Sequence, residues 1–103
     1  MTSKWIPTTD LLMLRRMGKL GEELGELQAV VARCIIQGID EVDPGTGKIN
    51  RLRLEHEIAD VLAQCKVTIN LIGLDSARIT DRVVHKVGLM AEWEAMFIGE
   101  STP

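Results

Sequence analysis

Along residues 10–37 the apolar positions Met13, Met17, Leu20, Leu24, Leu27, Val31 and Cys34 alternate four and three apart. That spacing predicts a long helix packed nearly antiparallel to a neighbour. Thr8, Thr9 and Asp10 follow Pro7 and offer capping oxygens at its start, and Gly38 marks its stop. Gly18, Gly21 and Gly25 each weaken such a helix by about 0.8–1 kcal/mol relative to Ala, so packing must hold it. A second run, about residues 49–71, carries Leu54, Ile58, Val61, Cys65 and Ile69 on one stripe that Ile72 continues, and Gly73 ends it. Asp75 reads as the N-cap of a third helix over 76–97, with Ile79, Val83, Met90, Trp93 and Phe97 on one face. Strong breakers are confined to the segment "GIDEVDPGTGK" between the first two helices, and residues 99–103 should fray. No convincing alternating strand pattern is present, so the expected fold is all-α, a bundle of long antiparallel helices.

Apolar residues also lie off these stripes. Leu11, Leu14, Ile35 and Ile36 fall outside the first, and Val67 and Leu71 outside the second. Three helices cannot cover all of them, which predicts a homodimer or a dimer of dimers in which partner helices complete the bundle.

Length and charge narrow the function. A chain of 103 residues is long enough for one domain with one core. Its net charge of −3 speaks against a basic nucleic-acid-binding stripe. Lys4, Asp10, Arg15, Arg16 and Lys19 interrupt the first twenty residues, leaving no signal-peptide core, and no run is apolar enough to span a bilayer. A cytoplasmic protein without nucleic-acid or membrane partners is expected. Cys34 and Cys65 lack metal-ligand spacing and read as buried, reduced thiols.

The chemistry lies in two acid pairs, Glu23 with Glu26 in "GEELGEL" and Glu57 with Asp60 in "HEIADVL". Each pair is spaced i,i+3, so both members leave one side of a helix and can converge with the other pair. Glu23 and Glu57 border the apolar stripes, with Glu26 and Asp60 a step further round. Two carboxylates brought within about 5 Å repel by roughly 3 kcal/mol at an effective dielectric near 20. A cation removes that cost, and all-oxygen donors favour Mg²⁺, with Mn²⁺ as a substitute. A lone ExxE is usually a solvated helix face; two pairs on neighbouring helices make metal binding the better reading. Glu22, one turn before Glu26, is a candidate for an outer position behind the cluster.

"KLGEELGELQAVVA" followed by "LEHEIADVLAQ" resembles the MazG-like all-α nucleoside triphosphate pyrophosphohydrolases, whose signature is ExxE, a spacer, then ExxD. The resemblance runs from Asp10 to about Trp93. It implies hydrolysis of a nucleoside triphosphate to the monophosphate and pyrophosphate, with Mg²⁺ on Glu23, Glu26, Glu57 and Asp60, and Glu23 or Glu26 as general base. It also implies nucleotide-pool control or house-cleaning as the role. His56 stands where many members carry a further acid. Basic or amide side chains on the later helices contact phosphate in that family, which makes Lys86, Arg82 and Asn70 candidates. Lys86 additionally sits on an apolar stripe between Val83 and Met90, where the ordinary reading is a snorkelling surface lysine. Gln64, one turn after Asp60, is placed to hold a water or a sugar hydroxyl. Phosphoribosyl-ATP pyrophosphohydrolases share the helical plan, and a non-catalytic helical interaction protein, its acids paired with Arg51, Arg53, Arg78 or Arg82 across subunits, is the competing class.

Overall fold

The computed structural model describes residues 4–98 and contains three helices: α1 (Leu11–Gln37), α2 (Asn50–Ile72) and α3 (Ser76–Ala95). Residues 99–103, expected to fray, lie outside the described residues. Among the described residues there is no strand and no helix long and apolar enough to cross a membrane. The chain divides into two compact units, residues 1–73 and 74–103.

In the first unit α1 and α2 pack together as a helical hairpin. Its boundaries follow from local chemistry. Asp10 accepts from the Met13 amide at 3.0 Å, satisfying one of the donors that the start of α1 leaves free. At the other end the Gly38 amide donates to the Cys34 carbonyl at φ +106°, a conformation open to glycine, where a Cβ would stand 2.9 Å from Glu41 Cγ. α2 stops at Gly73, whose left-handed φ of +78° lets its amide donate to the Ile69 carbonyl.

The connection between the helices is more ordered than its breakers suggest. An isolated antiparallel bridge joins Val42 to Ile49. Asp43 donates its amide to the Lys48 carbonyl at 2.8 Å, and Asn50 donates its own to the Glu41 carbonyl at 3.0 Å. Inside the turn Asp43 accepts from the Thr46 amide at 2.9 Å and from Gln37 Nε2 at 3.0 Å. Asn50, fully buried, donates to Gln37 Oε1 and to the Gly38 carbonyl and accepts from Arg53. The end of α1, the turn and the start of α2 are thereby fixed by one polar network.

The packed faces differ from the expected apolar stripes. The covered positions on α1 include Arg16, Leu20, Glu23, Leu27, Val30, Cys34 and Gln37, whereas Met13, Met17, Leu24 and Val31 are exposed. On α2 the covered set includes Asn50, Leu54, Glu57, Val61, Gln64, Thr68 and Ile72, whereas Ile58 is exposed. Each interface is thus turned by about 50–60° from the hydrophobic line, and Leu20, Leu27, Cys34, Leu54, Val61, Cys65, Ile69 and Ile72 belong to both. Glu23 and Glu57 stand within the contact layer instead of bordering it. Val30, 3% exposed, is the one fully buried hydrophobic side chain among the described residues. The hairpin therefore turns a mixed polar and apolar seam inward and leaves apolar residues outward, including Leu11, Leu14, Ile35, Ile36, Val67 and Leu71. Cys34 and Cys65 are free thiols, half-buried and not fully enclosed as expected.

The second unit is α3 and its C-terminal turn. Asp75 caps α3 by accepting from the Arg78 amide at 3.0 Å. Trp93 meets Phe97 edge-to-face with ring centroids 4.9 Å apart, which gives this tryptophan a packing role.

Candidate functional site

Glu23 and Glu57 come together because both lie on the packed seam, and Asp60 follows Glu57 by about one turn of α2. One carboxylate oxygen from each of Glu23, Glu57 and Asp60 lies within 4.8 Å of the others. The three are graded in burial. Glu23 is 9% exposed, Glu57 half-buried and Asp60 open to solvent. The group therefore has a dry floor and a wet rim.

Electrostatics marks this as an unfavourable place for unneutralised charge. Glu23 titrates above its ordinary value of 4.5, first because burial penalises its charged form, then because Glu26 and Asp60 add negative charge, and a hydrogen bond with Glu26 adds to the effect. Lys19 opposes these effects, its Nζ lying 3.8 Å from Glu23 Oε1. It is also shared with Glu22 at 3.3 Å, so Glu22 is an exposed ion-pair partner on the solvent side of α1. Glu26 is exposed, near enough to act on Glu23 but outside the tight group of three.

Two oxygens in this group, Glu23 Oε2 and Glu57 Oε2, are buried without a hydrogen-bond partner. A buried carboxylate oxygen left unpaired is costly unless something supplies a donor or a positive charge. The donor set is all oxygen and drawn from two helices. It fits a hard divalent cation of the Mg²⁺ or Mn²⁺ type, which takes a few carboxylates and leaves positions for other oxygens.

The remaining sequence candidates separate. Gln64 lies on the same side of α2 as Glu57, and its Oε1 is buried and unpartnered. Thr68, one turn further, is 4% exposed and its Oγ1 is likewise unpartnered. Sequence reasoning missed Thr68, although its place one turn beyond Gln64 was a usable signal. Asn70 is exposed and leaves α2 on the side away from Glu57, about 140° round the helix, so the structure does not bring it to the acids. Lys86 and Arg82 are exposed residues of α3, and Val83 and Met90 beside Lys86 are exposed as well, so no buried apolar stripe encloses that lysine.

Three of the four arginines considered as partners for the acids form ion pairs elsewhere in the chain. Arg51 pairs with Asp40 through Nε at 2.6 Å, Arg53 lies 3.7 Å from Asp43, and Arg78 lies 3.6 Å from Asp75. Compared with protein-family models, with curated proteins and with solved structures, the chain matches none of them.

Proposed function

We propose that this protein is a Mg²⁺-dependent nucleoside triphosphate pyrophosphohydrolase of the MazG-like all-α kind, cytoplasmic and acting in nucleotide-pool control or house-cleaning. One observation carries the reading: carboxylates from two helices converge to within 4.8 Å, and two of them keep buried oxygens without partners. A cation held there by Glu23, Glu57 and Asp60 would supply charge neutralisation to phosphate oxygens and acidity to a water.

The chain's own residues divide the rest of the work. The three converging acids fix where the phosphates lie, which sets the line of attack. Glu26, exposed beside the group, has a carboxylate open to accept the proton of the attacking water. Glu23 is the other candidate base. Lys86 and Arg82 are candidates for phosphate contact by charge, and Gln64 for a water or sugar hydroxyl.

Assembly belongs to the same proposal. Met13, Met17, Leu24 and Val31 form a stripe on α1 that the hairpin leaves exposed. Burying it against a second copy would return roughly 25 cal/mol for each Å² of apolar surface removed from water. A homodimer or dimer of dimers follows.

Against the interaction-protein alternative stands the engagement of Arg51, Arg53 and Arg78 in ion pairs within the chain, which leaves Arg82 as its candidate. The deciding measurement is Mg²⁺-dependent pyrophosphate release from single NTPs, dNTPs and phosphoribosyl-ATP, by wild type beside Glu57→Gln. Turnover that vanishes in a folded Glu57→Gln protein supports the reading, and turnover of phosphoribosyl-ATP alone moves the substrate class. Wild-type protein inert on the whole panel would leave the interaction module standing.

A further inference from the structure

The polar seam of α2 does not end at the acids. Gln64 and Thr68 follow Glu57 by seven and eleven residues, which at 100° per residue places both within about 20° of its direction. A rise of about 1.5 Å per residue carries Gln64 roughly 6 Å beyond Asp60 and Thr68 roughly 12 Å. Gln64 Oε1 and Thr68 Oγ1 are both buried and both without a partner. Neither side chain carries charge, and two neutral oxygens alone hold a divalent cation weakly, so a second cation is the poorer explanation. A hydrocarbon ligand does not explain them either, because it would leave their oxygens orphaned. A neutral group bearing hydrogen-bond donors does. Glutamine Oε1 can only accept, whereas threonine Oγ1 can accept and donate.

We propose that Gln64 and Thr68 form a neutral hydrogen-bonding subsite for the sugar and base of a nucleoside phosphate whose charged end lies at the acid cluster. The order along α2 matches the order of chemistry along such a ligand: phosphates at Glu57 and Asp60, then the sugar at Gln64, then the edge of the base at Thr68. Gln64 is half-buried as a residue, so rotation about its own side-chain torsions can carry its acceptor toward a ligand. The subsite rests on the phosphohydrolase reading for its neighbour, but its test does not depend on turnover.

Gln64→Met and Thr68→Val keep side-chain volume and remove the orphaned oxygens, and Thr68→Ser keeps the hydroxyl. Binding of α,β-imido nucleoside triphosphates is measured by calorimetry with Mg²⁺, and hydrolysis of NTPs, dNTPs and inorganic tripolyphosphate is followed in parallel. Each of the first two variants should bind the analogue about tenfold more weakly, as loss of one hydrogen bond predicts. Tripolyphosphate, which has no nucleoside, should bind and react unchanged, and Thr68→Ser should restore the analogue. Ribose against deoxyribose analogues assign the Gln64 contact, and amino against oxo bases assign the Thr68 contact. The free variants should melt at higher temperature, because each has lost an unsatisfied buried oxygen. Analogue binding that depends on Gln64 and Thr68 without any turnover keeps the subsite and removes the hydrolase. Turnover with variants indistinguishable from wild type on every nucleotide overturns the subsite and keeps the hydrolase. Wild type that neither binds nor hydrolyses any nucleotide overturns both.

Discussion

Two stretches of the same helical hairpin bury polar side chains, and they do so to opposite ends. At the connection, Gln37, Asp43, Thr46, Asn50 and Arg53 saturate one another, and Asp43 titrates below its ordinary 3.8, chiefly through the Gln37 hydrogen bond, with Thr46 and Arg53 adding to it. Midway along, Glu23, Glu57, Gln64 and Thr68 leave oxygens unpaired, and Glu23 titrates above its ordinary 4.5. Burial alone does not distinguish the two. What distinguishes them is whether the chain answers its own hydrogen-bonding demand, and the half that does not is where a ligand has something to contribute.

The largest expected effect is on activity. Glu57→Gln should cut Mg²⁺-dependent pyrophosphate release at least about a hundredfold while far-ultraviolet circular dichroism stays helical. Retained turnover would erase the contrast at its functional end. Next comes ligand-linked stability. Mg²⁺ at about one hundred times its Kd should stabilise wild type by roughly 2.7 kcal/mol, read as a rise in Tm, and Glu23→Gln should lose most of that rise. At the saturated end Asn50→Ala should cost about 1–3 kcal/mol in urea unfolding, because it strands Gln37 Oε1 and leaves the Gly38 carbonyl with the Glu41 amide alone, and it should leave the Mg²⁺ shift in place.

Acid titration sharpens the contrast further. A carboxylate with a raised folded pKa favours the folded state on protonation, so metal-free protein should gain stability as pH falls through the Glu23 value toward 4.5. Asp43 has a lowered folded pKa, so its contribution is present above 3.8 and is lost as pH falls through its folded value. Thermal melts between neutral pH and about pH 3 should therefore rise and then fall. Glu23→Gln should remove the rise, and Asp43→Asn should reduce the fall, to which Asp40 also contributes through its hydrogen bond with Arg51. The smallest effect is Gly38→Ala, about 1 kcal/mol from a positive φ and the Glu41 Cγ contact, by the same urea measurement.

The ends of the helices were legible because they are written in local chemistry: Asp10 and Asp75 as caps, Gly38 and Gly73 as stops. The convergence of Glu23 with Glu57 and Asp60 was likewise visible in their spacing, whereas Glu26, expected in the same group, stays outside it. The packed faces were legible in part: Leu20, Leu27 and Cys34 of α1 and Leu54, Val61, Cys65, Ile69 and Ile72 of α2 are covered, whereas Met13, Met17, Leu24, Val31 and Ile58 are exposed because a mixed column shares the seam. A signal was nonetheless there. Glu23, Val30 and Gln37 recur every seven residues, as do Asn50, Glu57 and Gln64, and such a mixed column competes with the hydrophobic one for the seam. The turn network was hidden for a different reason, since Gln37, Asp43 and Asn50 are brought together by the fold of the connection, which the Val42–Ile49 bridge closes, and not by any local spacing.

That bridge also has a consequence for how the chain can change length. Because Ile49 and Asn50 are clamped, extra residues between Asp43 and Lys48 merely enlarge the tip of the bend. A single residue gained or lost between Asn50 and Glu57 swings everything beyond it by about 100°, presenting Ile58 or His56 where Glu57 now stands. Insertions should be tolerated on one side of Asn50 and forbidden on the other, as for a gear whose shaft may lengthen but whose teeth may not slip.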